Sequence, residues 1–552
     1  MSDRRLALWL VVAGLLVQLP ILPFGMPGAK ALNNATRILA GDVPYRDFWT
    51  MYAPGHFYLV AALFKLFGVH VWVQGVAGQL LMAIDGALLF MLTRRLGLAP
   101  RVAWIVGFSF VLIHWGTKEI TTYEPVLMFL LLALNRVVRY AQGAGPRQLI
   151  VAGLFLGVGA WFKHDVSFHV ALGAVTGLTI GWVLAAGRRP AAWVSPIGAV
   201  ARVAGGALVT ALPVIAFLAW KAGPDAWYDL VVFPATDFRV VRGEPYPPLW
   251  PDWGVVMSWM RHPSGLEQML AVSGTLSKWV MANMPQLAFV IGAVVLVRAR
   301  RTLHPAVMAV AALSLVSMGL FWASAHVQQN TNFSTMWVFS VLLGALAWAH
   351  AGLRPRSRTA IASLFIVATG AFLVTPARVV AELAYFWPGQ TRWDLPRASG
   401  VIVPQARYDI LHPIVSFIRE HVPESEAIYV GLGRHDSIVI SNQNFYFLAG
   451  RPIASRHNEL HPGIADLEVT QREIIADLER LNVRCVVLWH FGWPKTTMDA
   501  ILAERRRSLP AVGSTVLDEY IAREFQELAR YGEYSLMWRK GPGMPAAPAP
   551  GK

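Results

Sequence analysis

Long apolar runs dominate the first two-thirds of the chain. A helix that crosses a hydrocarbon core needs about 20 mostly apolar residues. The first such run is 6–24, preceded by Arg4 and Arg5. Others follow at about 70–92, 102–116, 124–140, 148–162, 166–187, 198–220, 280–297, 305–323, 334–352 and 359–376, so eleven spans are expected. Residues 29–31 (AKA) weakly imitate a signal cleavage site. The run before them exceeds the usual 7–15 residues of a signal peptide, so an uncleaved anchor is the expectation.

Between the runs lie polar segments of unequal length. Loop 25–69 ends in an apolar stretch, 56–69 (HFYLVAALFKLFGV), too short to span and expected to lie along the interface as an amphipathic helix. Residues 221–278 form a second long excursion, rich in Trp, Pro and Asp. After about residue 376 the hydropathy falls and the pattern turns α/β. There, 427–431 (AIYVG) and 485–489 (CVVLW) read as buried strands, and 469–481 as an amphipathic helix. A further strand is expected at 534–539, and a disordered Pro/Gly/Ala-rich tail at 541–552. The expected organisation is therefore a membrane domain, 1–376, followed by an α/β domain, 377–540.

Composition agrees with that pattern. Apolar residues make up 55% and charged residues only 15%, against about 25% in a globular protein. With 27 Phe and 22 Trp the chain is neither soluble nor disordered by composition. The single cysteine, Cys485, excludes a disulfide framework and a cysteine-based metal site. Arginine far outnumbers lysine, a bias of bacterial type.

The net charge of +15 would suit a polyanion partner, but its placement argues against nucleic acid. Arg94, Arg95 and Arg101 share one loop, and Arg136, Arg139 and Arg147 another. Arg188, Arg189 and Arg202 follow, then Arg298, Arg300 and Arg301, then Arg354, Arg356 and Arg358. If eleven spans alternate, all these acid-free loops fall on the side of Arg4 and Arg5. Positive loops mark the cytoplasm, so the N-terminus is expected inside and the α/β domain outside.

Candidate chemistry concentrates on the outer side. The densest segment is 41–55, GDVPYRDFWTMYAPG. Asp47 could be a general base at the mouth of a membrane cavity, with Tyr45, Tyr52 and His56 beside it to bind a sugar or prenyl chain. Equally, Asp47 could pair with Arg46 in a structured loop. Glu124, in KEITTYEP (118–125), stands where a helix starts, and the macrodipole there favours a negative group whether it caps or catalyses. Lys163-His164-Asp165 breaks a run of roughly 40 apolar residues, and its cations are placed to neutralise a lipid phosphate. His326, in AHVQQNTNF (325–333), could reach a cavity or sit in a solvated turn. The segment 431–436 (GLGRHD) lacks the spacing of a nucleotide loop. Arg434, His435, His457, His461, Asn442 and Asn444 could line a cavity or satisfy their own domain, and Asp85, inside the second span, is expected to make a helix–helix hydrogen bond.

The form G-D-x-P-Y-R-D-F, then Y-x-P-G and L-F-K-L-F-G (63–68), resembles the GT-C glycosyltransferase superfamily. It is nearest to a bacterial branch close to glycosyltransferase family 39. That branch includes protein O-mannosyltransferases, aminoarabinose transferases of lipid A and a lipopolysaccharide-core galacturonosyltransferase-like group. The mannosyltransferases carry an adjacent Asp-Glu pair, whereas Phe48 follows Asp47 here, so their acceptor is not carried over.

The resemblance implies a GT-C membrane fold in the bacterial inner membrane and a sugar donor on a polyprenyl phosphate. It implies an envelope glycan, lipid or protein acceptor, and inversion at the anomeric carbon. Asp47 would be the base and Glu124 would face it, with a divalent cation, Mg²⁺ or Mn²⁺, between them or none at all. Lys163, with Arg46 and His164, would hold the donor phosphate. A transporter or flippase of lipid-linked sugars is the rival from another class, although no repeated halves are visible. An oligosaccharide ligase or polymerase is a third reading, kept open by Arg239, Arg242 and Arg261.

Overall fold

The computed structural model describes residues 2–114, 118–236, 250, 253–261, 279, 283–294, 297, 303–324, 329–350, 389–436, 441–461, 463–490 and 513–546. Among the described residues, helices stand at ten of the eleven expected spans, and the eleventh, 359–376, lies outside them. Five helices are long and apolar enough to cross a membrane by length and composition. Shorter apolar helices occupy other expected spans, such as Pro100–Ile113 and Arg147–Ala160.

The chain divides into two compact units. The first comprises Met1–Leu22, Val76–Ala216 and Glu244–Tyr385. Its described α-helices are α1 (Asp3–Gln18), most of α4 (Val71–Arg95), α5 (Pro100–Ile113), α6 (Tyr123–Ala141), α7 (Arg147–Ala160), α8 (His164–Leu184), most of α9 (Pro196–Lys221), and those at Trp253–Met260, Asn283–Val294, Pro305–Ala323 and Gln329–His350. Without water, apolar burial drives little helix association, so small residues that admit close contact decide the packing. Gly173, Gly177 and Gly181 line one face of α8 against helix Pro305–Ala323. A Cβ on Gly177 would lie 2.3 Å from the Leu313 backbone. Large side chains such as Leu8 and Trp9 on α1 and Val209 and Ile215 on α9 are exposed, as helices facing lipid require.

Asp85 departs from expectation. Among the described residues, both of its carboxylate oxygens are buried without a hydrogen-bond partner. Beside it, α4 meets its neighbours through Gly86 against Gly107, Val111 and Leu10, a contact of glycine and aliphatic groups that offers no side-chain donor.

The second unit joins three stretches distant in sequence: Pro23–Gly75, Phe217–Gly243 and Phe386–Lys552. The C-terminal stretch carries a four-stranded sheet built from β3 (Tyr429–Leu432), β4 (Cys485–Trp489), β5 (Phe525–Tyr531) and β6 (Tyr534–Arg539), in the order β3-β4-β6-β5, with β3 parallel to β4 and the other pairs antiparallel. A smaller antiparallel pair joins β1 (Gln390–Arg392) and β2 (Ile402–Pro404). The expected strands and helix are present, the helix at Glu468–Arg480 and β6 at Tyr534–Arg539. Added to them are β5 (Phe525–Tyr531) and a helix at Gln405–His421 with Pro413 inside it.

The first loop folds onto this α/β layer. Its helices are α2 (Ala29–Leu39) and α3 (Gly55–Phe67). The inner face of α3, with Phe57, Val60 and Phe64, is buried, and Phe64 stacks on Phe447 with ring centroids 6.1 Å apart. Leu66 and Phe67, at its end, are exposed.

Candidate active site

The candidate loop is a tight turn whose backbone and carboxylate close on each other. Asp47 N–H donates to the Val43 carbonyl at 2.9 Å, and Val43 N–H donates to Asp47 Oδ2 at 2.7 Å. Tyr45 adopts the left-handed conformation, with φ of +71°, which costs a non-glycine residue on the order of 1 kcal/mol. Its ring is fully buried and its hydroxyl donates to the Tyr52 carbonyl at 2.8 Å, so packing holds the strained residue in place.

Two arginines brace the turn from outside. Arg37 donates to Asp42 Oδ2 at 2.7 Å, to the Asp47 carbonyl at 2.6 Å and to the Ser455 carbonyl at 3.0 Å. Arg456, from the C-terminal stretch, donates to the Tyr45 carbonyl at 2.8 Å, and its own carbonyl accepts from Trp49 N–H at 2.9 Å. The loop is thus built jointly by the first loop and segment 455–461.

Asp47 itself is gripped by Arg46 in a fork, Nε to Oδ1 at 2.9 Å and Nη2 to Oδ2 at 2.6 Å. Both side chains remain partly exposed. The Arg46 hydrogen bond holds the carboxyl below its usual range. Partial burial opposes this, and the Val43 N–H and Arg37 assist it. In this arrangement Asp47 is an anion and a weak base; it becomes a stronger one if Arg46 turns to another anion.

Beside the turn lies a part-buried ion pair absent from the sequence reading. Lys30 Nζ sits 2.5 Å from Glu459 Oε1 and 4.0 Å from the centroid of the Tyr52 ring. Burial disfavours the ammonium, but Glu459 and Tyr52 outweigh it and raise its pKa above the usual lysine value. His56 is buried, its Nδ1 lies 3.0 Å from the Ala53 carbonyl, and burial lowers its pKa to about 3, so the ring is neutral.

A second missed group is Asp229, buried just beyond α9. Burial pushes its pKa up to about 7, Asp225 adds to the rise, and Arg456 (3.7 Å away) and a hydrogen bond with Trp49 oppose it. Trp49, Phe233 and His461 pack edge-on or tilted around this corner, with centroids 5.4–6.3 Å apart. Lys30 could have been suspected as a lone cation right after an apolar span. Asp229 and Glu459 carry no local signal, because their partners lie hundreds of residues away.

The remaining histidines and asparagines mostly serve their own domain. His435 Nδ1 is 2.6 Å from Asp518 and its Nε2 is 3.0 Å from the Tyr429 hydroxyl, while Arg434 pairs with Asp436. His457 Nε2 is 2.9 Å from Glu473, and Asn442 donates to the Tyr534 hydroxyl at 2.8 Å.

The second unit therefore gathers Tyr45, Arg46, Asp47, Tyr52 and His56. Glu124, Lys163 and His164 belong to the first unit. Glu124 Oε2 accepts from Thr121 N–H at 2.7 Å and from its hydroxyl at 2.5 Å, while Thr121 Oγ1 accepts from Tyr123 N–H. These bonds tie the Glu124 carboxylate to the backbone just before the helix, the place where the macrodipole favours a negative group. Lys163 Nζ donates to Asp165 Oδ2 at 2.9 Å, and among the described residues both Asp165 Oδ1 and His164 Nδ1 are buried without a hydrogen-bond partner. His326, Arg239 and Arg242 lie outside the described residues. Among the described residues no three His, Cys, Asp or Glu side chains are grouped to hold a metal, and a cation at Asp47 would have to displace Arg46.

Residues 51–217 match the family model described as dolichyl-phosphate-mannose-protein mannosyltransferase, a stretch that begins just past Asp47. No curated protein matches the chain. Among solved structures, the chain is similar to the crystal structure of ArnT from Cupriavidus metallidurans bound to undecaprenyl phosphate. The TM-score is 0.55 at 14% identity, over 96% of this chain and 97% of that one. The fold is GT-C. The chain is a polytopic helical membrane protein with a C-terminal α/β portion, and it resembles the ArnT-like branch of GT-C glycosyltransferases.

Proposed function

We propose that the protein is a membrane glycosyltransferase that moves a sugar from a polyprenyl phosphate to a hydroxyl of an envelope acceptor, with inversion. The observation that carries the reading is likeness over nearly the whole chain to a transferase bound to undecaprenyl phosphate. The stretch 51–217, which holds Glu124 and Lys163, matches a second family named for a lipid-phosphate sugar donor. In this reading the protein sits in a bacterial inner membrane with its N-terminus inside and the α/β portion outside.

Asp47 is the proposed base, and the Arg46 fork gives it a resting state. When the donor phosphate arrives, Arg46 turns from the carboxylate to that phosphate, a bidentate exchange suited to a guanidinium. The freed carboxylate becomes more basic and takes the acceptor proton as the acceptor oxygen bonds to the anomeric carbon. The bond from that carbon to the phosphate oxygen breaks, and the phosphate leaves with the electron pair. Lys163 and Arg46 stabilise the charge that develops there. Glu124 is the second carboxylate assigned to catalysis in this reading, and no step is routed through a metal.

Donor choice tests the reading. Purified protein should transfer label from a polyprenyl-phosphate sugar and not from a nucleotide sugar, and Lys163→Ala should raise the donor KM more than it lowers kcat. Use of a nucleotide sugar in place of the lipid donor would overturn it.

A further inference from the structure

Behind the candidate loop, within the second unit, a buried donor and a buried acceptor on neighbouring side chains remain unbonded. Arg456 Nε and Asp229 Oδ2 are both buried, and among the described residues neither has a hydrogen-bond partner. Arg456 Nη2 stops 3.7 Å from that oxygen, beyond hydrogen-bond reach. The same nitrogen donates instead to the Tyr45 carbonyl at 2.8 Å. Buried polar groups are almost always satisfied, so an unmade bond between a guanidinium and a carboxyl needs a physical cause.

The backbone puts Asp229 there by an unusual route. It lies in a π-helical turn, Tyr228–Val232, between short α-helices at Pro224–Trp227 and Phe233–Ala235. The Phe233 N–H reaches back five residues to the Tyr228 carbonyl, and Pro234 beyond it has no N–H to donate. This places Ala226, Asp229 and Phe233 on the buried side and leaves Trp227 and Tyr228 exposed. Such turns are rare and concentrate at functional sites. The Trp49 indole donates to the Asp229 carboxyl, and Arg456 and Tyr45 face it from the loop side. Asp225 stands one turn back, and His461 closes the corner against Trp49 and Phe233. Burial and Asp225 favour the neutral acid, and a neutral acid leaves the guanidinium on the carbonyl.

Ionisation reverses that preference. A charge-assisted bond is roughly twice as strong as one to a neutral acceptor, and its length of about 2.7–2.9 Å asks for a shift of about 1 Å. The side-on fork that Arg46 makes to Asp47, through Nε and Nη2, is open to Arg456 as well, and it would use the unpartnered Nε. Nη2 then leaves the Tyr45 carbonyl, and the left-handed Tyr45 loses one of the bonds that hold it. We propose that Asp229 and Arg456 are positioning residues for Asp47: neutral Asp229 leaves Arg456 bracing the turn, and ionised Asp229 draws Arg456 away and loosens it. The effect on catalysis rests on the glycosyltransferase reading; the coupling of Asp229 to the turn does not.

Hydrogen exchange of the full-length protein in detergent reads the turn without any substrate. Segment 43–49 is compared between wild type and Asp229→Asn at the same pH, so the intrinsic pH dependence of exchange cancels. The two should match at pH 6. At pH 8.5 the segment should exchange about tenfold faster in wild type, while strand β4 stays equally protected in both. Arg456→Gln lacks the brace at either pH, so its segment should exchange quickly throughout, with no step near pH 7. Activity supplies a second readout. Wild-type kcat should fall more than about tenfold from pH 6.5 to pH 8.5, a range in which Asp47 stays ionised. The ratio of the two rates should approach one in Asp229→Asn. Equal exchange of wild type and Asp229→Asn at pH 8.5 overturns the proposal. So does a pH step that persists in Arg456→Gln, or a difference shared by β4. If the turn loosens as described yet wild-type protein transfers no sugar from a polyprenyl-phosphate donor, the coupling stands and the glycosyltransferase reading falls.

Discussion

Asp229 shows how a single buried acid ties stability to pH. Its folded-state pKa, about 7, lies above its ordinary value of 3.8, because the carboxylate is buried. A group raised in this way stabilises the fold fully below its unfolded pKa and loses that contribution as pH rises through the folded value. The wild-type melting temperature should therefore fall between about pH 4 and pH 7 by an amount that Asp229→Asn lacks. His56 acts in the other sense. With its folded pKa near 3, it stabilises above about 6.5 and loses that contribution as pH falls below, so His56→Gln should flatten the acid side of the profile. Parallel profiles for wild type and both variants would contradict these burials. At this scale the sequence exposed only part of the site. The motif around Asp47 was legible because charge, aromatics and turn residues crowd into fifteen positions. The Lys30–Glu459 and Asp229–Arg456 pairs were not, since long-range contacts leave no local pattern.

Helices and strands were legible in proportion to their burial. Long apolar runs in a low-charge chain announce spanning helices, and β4 announces itself as CVVLW. Strand β5 reads FQELARY, an edge strand with half its positions polar, and gives no run to recognise. Helix Gln405–His421 was hidden by Pro413, which reads as a breaker but is accommodated within the helix. Close contact of α8 with helix Pro305–Ala323 gives a test at this scale. Gly177→Ala would set a methyl 2.3 Å from the Leu313 backbone, which cannot swing aside as a side chain can. Overpacking of this kind costs about 1–3 kcal/mol. Gly205 has open space around it, so Gly205→Ala is the control. The melting temperature in detergent should drop for Gly177→Ala and hold for Gly205→Ala; equal melting would contradict the glycine-mediated contact.

For the whole molecule, the first loop and the C-terminal α/β stretch form one compact unit although more than 300 residues separate them in sequence. Hydropathy alone divides the chain at the last span, because it reports solvent and not partnership. The proposed topology is tested by cysteine labelling in a variant lacking Cys485. Ser425→Cys, exposed in the α/β stretch, should react in intact spheroplasts with a membrane-impermeant thiol reagent. Ser195→Cys, exposed in an arginine-rich loop, should react only after lysis, and the reverse pattern would contradict the orientation.

The central claim is sugar transfer from a polyprenyl phosphate with Asp47 as the base, and it is tested most directly by transfer of labelled sugar to an envelope acceptor by wild type and Asp47→Asn. The amide keeps the shape of the side chain and can still accept from Val43 N–H, so folding and melting should be preserved. Removing a general base costs about 10²–10⁴-fold in rate, and the account predicts a loss of that size in kcat for a variant that still binds donor. Near wild-type transfer by a normally folded Asp47→Asn would contradict it and leave Asp47 as the partner of Arg46 in a structural turn.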